Sequence, residues 1–351
     1  MPLSLRHQLR SLASRVPSRN YAAVSSSPSQ TNPYTVGPYQ VFDRNAKRLQ
    51  RDRAVARDGG DRSRTVDYIR DEIAERMMER FMDIKRSFNT VLDLGSGPGH
   101  FSKLLESDKA KKTVMLEMSG KTLHREPDSE FEGTSSGIQR VSNLNGQDIV
   151  QVERIQGDEE NLLQHIERES QEAVLSCLSL HWVNDLPGVL VQIRESLKPD
   201  GLFLGAMFGG DTLFELRTSL QLAEAEREGG LSPHVSPMTD TRDISNLLGR
   251  AGFTLLTVDT DEVKVGYPSM WELMEDLQDM GESNAVIGRR ARISPDTLAA
   301  ASAIYKELHG NEDGSIPATF QVIYMIGWKP ADSQPKPLER GSGKVNLKEV
   351  L

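Results

Sequence analysis

Two carboxylates and three glycines stand at a spacing suited to a nucleoside that carries positive charge. They are Asp93, Gly95, Gly97 and Gly99 within TVLDLGSGPGH (residues 90–100), and Glu117, twenty positions beyond Gly97. Glycines let the backbone turn tightly and approach a ligand with no Cβ in the way. An acidic residue about twenty positions on commonly accepts from ribose hydroxyls. The spacing is G-x-G-x-G rather than G-x-G-x-x-G, and Asp93 directly precedes the turn, where its carboxylate would repel a pyrophosphate. S-adenosylmethionine instead brings an ammonium, a sulfonium and no phosphate. Opposite charges a few ångströms apart at a partly buried site attract by about 4 kcal/mol before desolvation is subtracted. Ser96, Met118, Asp158, Glu159 and Ser179 complete the expected cofactor set. Asp158 ends a strand where the adenine amino group would meet it, and it can equally cap the segment that follows.

The reacting groups are expected beyond the fourth strand, where Ser179, His181 and Trp182 face the transferable group. The segment lacks the Asn/Asp-Pro-Pro-Tyr signature of many amino-group methyltransferases, which disfavours transfer to exocyclic base nitrogens. His181 reads equally as a base and as a hydrogen-bonded structural residue. If the acceptor is a guanidinium, whose pKa is above about 12, acids must orient or deprotonate it. Asp211 and Glu215 are the candidates. His124-Arg125-Glu126 and His165-Ile166-Glu167 match part of a facial iron triad by chance spacing, and no metal is expected.

Elements that would position these residues follow from the apolar pattern. Strands are expected at Val91–Leu94, Val114–Leu116, Val152–Gln156, Ala173–Leu180 and Leu202–Phe208. Further extended segments fall at 253–258 and 262–265, with Phe320–Trp328 as an antiparallel edge strand closing the sheet. Helices are expected over 41–57, 65–81, 161–168, 189–197, 212–226, 243–250, 270–280 and 295–308, and one opening at Phe101. The basic run in 41–57 reads as a solvated helix face rather than a partner or membrane-surface site. Residues 120–150, polar and rich in Gly and Ser, read as a surface insertion, and 209–240 as the substrate-side segment carrying Pro233, His234 and Pro237. The sum is an α/β fold, a doubly wound, mostly parallel seven-stranded sheet with an antiparallel last strand, over residues 41–330.

The 351 residues carry a formal charge of −9, which argues against nucleic acid as a partner. Cys177 is the single cysteine, so internal disulfides and cysteine-rich metal sites are excluded. Residues 1–42 hold no acid, and Arg6, Arg10, Arg15 and Arg19 interleave with Leu5, Leu9, Leu12 and Val16. That is the pattern of a mitochondrial transit peptide, residues 1–21, cleaved after Tyr21. A linker at 22–38 follows, and 331–351 read as a mobile tail.

The glycine motif, Glu117, Asp158 and the strand sequence together resemble the class I S-adenosylmethionine-dependent methyltransferases, Rossmann-like in fold. Longer stretches are more specific: VFDRNAKRLQ, GAMFGGDTLFELR, SLQLAEAEREGG, LLGRAGFTLLTVDTDE, ELMEDLQDMGESNA and NEDGSIPAT. They closely resemble the family of mitochondrial respiratory complex I assembly factor 5, and more remotely the malonyl-carrier-protein methyltransferases. The family resemblance implies matrix residence, with peripheral contact on the inner membrane, and hydroxylation of an arginine in an iron–sulfur subunit of the complex I quinone module, alongside other assembly factors. The residues by themselves suggest methyl transfer using S-adenosylmethionine. A non-catalytic, methyltransferase-like assembly chaperone is the third reading. Fold alone does not choose among these.

Overall fold

The computed structural model describes residues 40–127, 150–336 and Gly341. The expected transit peptide and linker, residues 128–149 and the rest of the expected tail lie outside the described residues.

Helix α1 (Arg44–Ala56) starts at Asp43, whose carboxylate accepts from the Ala46 N–H at 2.8 Å. A turn over Arg57–Gly60 and the short α2 (Asp61–Thr65) lead to α3 (Tyr68–Met82). There Ile69, Ile73, Met77 and Phe81 recur every fourth residue and are all buried. Next come β1 (Phe88–Leu94), β2 (Ala110–Glu117), α4 (Gly120–Leu123), β3 (Gln151–Gln156), β4 (Gln171–Cys177) and α5 (Leu186–Ser196). The chain continues with β5 (Leu197–Phe208), α6 (Phe214–Glu228), α7 (Thr241–Ala251), β6 (Thr254–Tyr267), α8 (Met270–Asp279), α9 (Pro295–His309) and β7 (Ile316–Trp328).

The seven strands form one sheet in the order β3-β2-β1-β4-β5-β7-β6. The first five are parallel, and β7 runs antiparallel to both neighbours. Strand order reverses between β1 and β4, and such a switch point opens a crevice at the carboxyl ends of the strands. Apolar side chains fill both faces: Ile73, Phe81, Leu204 and Tyr305 belong to one core, Leu92, Val174, Ile193 and Leu248 to the other. Among the described residues no helix is long and apolar enough to cross a membrane.

The structure corrects several expectations. Strand β7 lies inside the sheet rather than at its edge, and β6 is the outer strand, continuous where two segments were expected. The apolar run FQVIYMIGW is covered on both faces, whereas β6 alternates exposed and half-buried positions, as an edge strand does. The helix expected after the glycines is a single turn, Ser102–Leu104, because β2 begins too soon at Ala110 for more. The helix expected over 161–168 likewise contracts to a turn over Glu159–Gln164, broken at Asn161. Residues 120–127 are no surface insertion. Arg125 and Glu126 are buried and pair with each other at 2.6 Å, while Arg125 also donates to Ser63 Oγ at 2.8 Å. The start of the expected tail is tied down too: Gln334 donates to Asp200 at 3.0 Å and accepts from Thr254 Oγ1 at 2.9 Å.

Candidate active site

The glycine turn is pinned to the end of β2, since the N–H groups of Gly95 and Ser96 both donate to the Leu116 carbonyl at 2.8 and 3.1 Å. Gly95, Gly97 and Gly99 all have positive φ. At Gly95 the requirement is also steric, because a Cβ there would lie 2.0 Å from Ser179 Oγ. Asp93 stands under the turn, wholly buried. Its Oδ2 accepts from Ser102 Oγ at 2.6 Å, but Oδ1 has no partner. Burial pushes its pKa up to about 7, with Glu117 adding and the Ser102 bonds opposing. A carboxylate lacking compensation at this point suits a cationic ligand.

Glu117, at the tip of β2, accepts from Ser119 N at 2.9 Å and Gly97 N at 3.2 Å. Glu159, beyond β3, accepts from Ser179 Oγ at 2.7 Å, and Asp158 caps the Glu160 N–H at 3.0 Å. Ser96 and Met118 are buried beside them. The ten residues expected to hold the cofactor therefore gather at the carboxyl ends of β1 to β4.

The sequence gives no hint that this acidic recess is already engaged from within. The basic face of α1, expected in solvent, points inward. Arg51 Nη1 donates to both Glu117 oxygens, at 2.9 and 3.1 Å, and lies 3.8 Å from Glu159. Arg44 donates to Asp158 at 2.7 Å, to Glu159, and to the Trp182 carbonyl at 3.2 Å. Burial would raise the Glu159 pKa, yet Arg44, Arg51 and Ser179 hold it below the ordinary value. Arg44, Lys47 and Arg51 fall at i, i+3 and i+7, one face of a helix, a spacing that a solvated face shares. The space left beside Arg51, Gly95, Gly97 and Glu117 is about 30 Å³, room for no more than a water or two. The donor set fits S-adenosylmethionine; the volume requires the α1 side chains to move first.

A second cavity of about 490 Å³ lies next to this recess, walled by His181, Trp182, Phe208, Phe320, Thr212 and Glu282 among others. That is the size of a small-ligand site. His181 is 5% exposed, and neither ring nitrogen has a hydrogen-bond partner. Its Nε2 is 3.8 Å from Glu282 Oε2, beyond hydrogen-bond reach. Burial lowers the His181 pKa, Lys47 and Arg51 adding and Glu282 opposing, so the ring is neutral and offers one donor and one acceptor. Phe208 packs on it at 4.9 Å between centroids. Trp182 Nε1 donates to Glu282 at 2.6 Å, and Arg70 donates to the same carboxylate at 2.5 Å. Burial works against ionisation of Glu282, but Lys47 and Arg70 hold its pKa well below the ordinary carboxylate range.

Pro233 and His234 of the 209–240 segment line this cavity. Asp211 and Glu215 do not. Leu213 takes a left-handed conformation, φ 53°, before α6, and Glu215 turns into the core, where it accepts from Thr319 N and Oγ1. Asp211 is exposed and accepts from Gln321 Nε2 at 3.2 Å. Sequence reasoning missed Arg44, Lys47, Arg51 and Glu282. The last follows Gly281, whose φ of +75° is the local mark of the turn that aims it.

This sheet order and glycine turn define a class. The family described as methyltransferase domain matches residues 65–258, more than half of the chain, which therefore belongs to the methyltransferase superfamily. Within it, the chain is 47% identical over 310 residues to the Danio rerio protein named arginine-hydroxylase NDUFAF5, mitochondrial, covering 88% of this chain and 89% of that one. The Homo sapiens protein of the same name is 45% identical over 343 residues, covering 97% and 92%. The chain belongs to the NDUFAF5 family. It is also 32% identical over 267 residues to a malonyl-[acyl-carrier protein] O-methyltransferase of Methylovorus, covering 74% and 81%.

Proposed function

We propose that this chain hydroxylates an arginine in an iron–sulfur subunit of the complex I quinone module, in the mitochondrial matrix beside the inner membrane and in company with other assembly factors. S-adenosylmethionine is the cofactor of the glycine turn; it is no oxidant, so the hydroxyl oxygen and the two-electron oxidation come from an external oxidant of the dioxygen or peroxide class. Family membership supports the reaction, and one observation carries the site: His181, buried and neutral with both nitrogens bare, stands on the wall of a 490 Å³ cavity next to an acidic nucleoside recess.

Each residue's task follows from its chemistry. Glu117 meets the ribose hydroxyls and Asp158 the adenine amino group once Arg51 and Arg44 release them. Asp93 compensates the positive charge that S-adenosylmethionine brings as an activated sulfonium. In the cavity, His181 presents an acceptor nitrogen to the arginine side chain, which Trp182, Phe208 and Phe320 flank. Glu282, held by Arg70 and Trp182, supplies negative charge beside the substrate, and His181, whose nitrogens bond to nothing, is free to respond to it.

The filled recess also favours a second reading, an assembly chaperone that needs no turnover. Mass spectrometry of the iron–sulfur subunit from cells lacking this chain, and from cells given it back, separates the readings. Loss and recovery of one oxygen on arginine is the expected result. A methylene increment instead would mean methyl transfer, and an unchanged arginine would mean a chaperone.

A further inference from the structure

Lys47 is completely buried, and its ion pair with Glu282 is a long one, 3.8 Å. Its ammonium lies 3.3 Å above the centroid of the Trp182 ring. It donates to the carbonyls of Gly281 at 3.1 Å and Ser283 at 2.8 Å, with Glu282 Oε2 3.8 Å away. An aromatic face, two convergent carbonyls and a nearby carboxylate are the components of a cation cage. Its geometry is built from outside α1. The positive φ of Gly281 turns the strip 281–283, and a Cβ there would lie 3.2 Å from the Arg51 backbone. Arg70 and Trp182 Nε1 fix Glu282 in place. Trp182, Glu282 and Ser283 also belong to the wall of the 490 Å³ cavity, so the cage borders the space in which the substrate is received.

We infer that this cage is the guanidinium subsite for the substrate arginine and that Lys47 fills it as an internal pseudosubstrate, leaving when the substrate cation enters. The inference rests on the reading of this chain as an arginine-modifying enzyme. Exchange favours the incoming group for a chemical reason. An ammonium is a compact, strongly hydrated charge, whereas a guanidinium is planar, more weakly hydrated and presents five donors, which suits a ring face, two carbonyls and a carboxylate at once. Burial, reinforced by Arg51, Arg70 and Arg44 and opposed by Glu282, also drives Lys47 well below the usual lysine range, while a guanidinium stays charged in the same place. Lys47 shares its helix face with Arg44 and Arg51, which hold the carboxylates of the cofactor recess. One helix face therefore covers both subsites, and its withdrawal vacates both.

The test is calorimetric titration of the full-length chain with N-acetylarginine amide, using the neutral citrulline analogue as control. Lys47→Met is expected to bind the arginine probe at least tenfold more tightly than wild type, with no gain for the citrulline probe. Equal affinity in the two proteins, or equal gains for both probes, would overturn the inference. Should Lys47→Met not fold, Lys47→Arg decides: a resident guanidinium must weaken probe binding, and affinity at or above wild type refutes the cage. Selective, Lys47-limited binding in a protein whose cellular substrate shows no arginine modification would leave the cage standing and sink the proposed reaction alone.

Discussion

Replacing Arg51 with methionine should weaken the cofactor-free fold and strengthen cofactor binding at the same time. Arg51 is buried, and one of its nitrogens bonds to both oxygens of Glu117, the residue assigned to the ribose. Removing one partner of a buried ion pair costs about 3–5 kcal/mol, because the other charge is left uncompensated. Glu117 would keep its bonds from Gly97 N and Ser119 N. Ribose hydroxyls donating to it would recover part of the loss, and wild type must spend that same part to displace Arg51. Recovery of a third is about 1.4 kcal/mol, or tenfold in affinity for S-adenosylmethionine. Thermal unfolding with and without the cofactor reads both effects, since a ligand stabilises the native state in proportion to the logarithm of its concentration over Kd. Arg51→Met should melt lower alone and show the larger upward shift with S-adenosylmethionine. A folded Arg51→Met protein that binds the cofactor more weakly than wild type would refute the reasoning and make Arg51 a cofactor ligand.

Two other substitutions separate roles that the sequence presents alike. His181→Ala should abolish arginine modification in complemented cells with the fold retained, whereas Glu215→Gln should leave modification intact and cost about 1–3 kcal/mol of stability through its buried bonds to Thr319; an exchange of these phenotypes would contradict the placement of both residues. Asp93 titrates at about 7 when folded and at about 3.9 in an unfolded chain. Between those values the native state holds the extra proton, so the Asp93 contribution to stability falls as pH rises through that window. Denaturant midpoints at pH 5 and pH 8 should therefore drop more for wild type than for Asp93→Asn, and parallel profiles would dispose of the buried acid.

The sheet and its cofactor edge were legible in the chain because both depend on local pattern. Continuous apolar strands, three glycines before Phe101 and the carboxylate at Glu117 are short-range signals. The failures were failures of tertiary context. FQVIYMIGW reads as a strand from its own residues, but whether it lies at an edge depends on β6 arriving beside it. Arg44, Lys47 and Arg51 are indistinguishable from solvated residues until the carboxylates of β2 and β3 are placed opposite them. Glu215 and Glu282 are equally plausible acids on paper. A left-handed Leu213 sends one into the core, and a left-handed Gly281 presents the other to the cavity.

The central claim, that the glycine turn receives a positively charged nucleoside over a buried acid, predicts a proton balance. A cation lodged beside Asp93 favours its ionised form, so binding near pH 7 must release up to about half a proton. Titration calorimetry of S-adenosylmethionine in two buffers of different ionisation enthalpy measures that release directly. The account predicts release by wild type and none by Asp93→Asn; proton uptake, or tight binding of NADH with no response to S-adenosylmethionine, would contradict it.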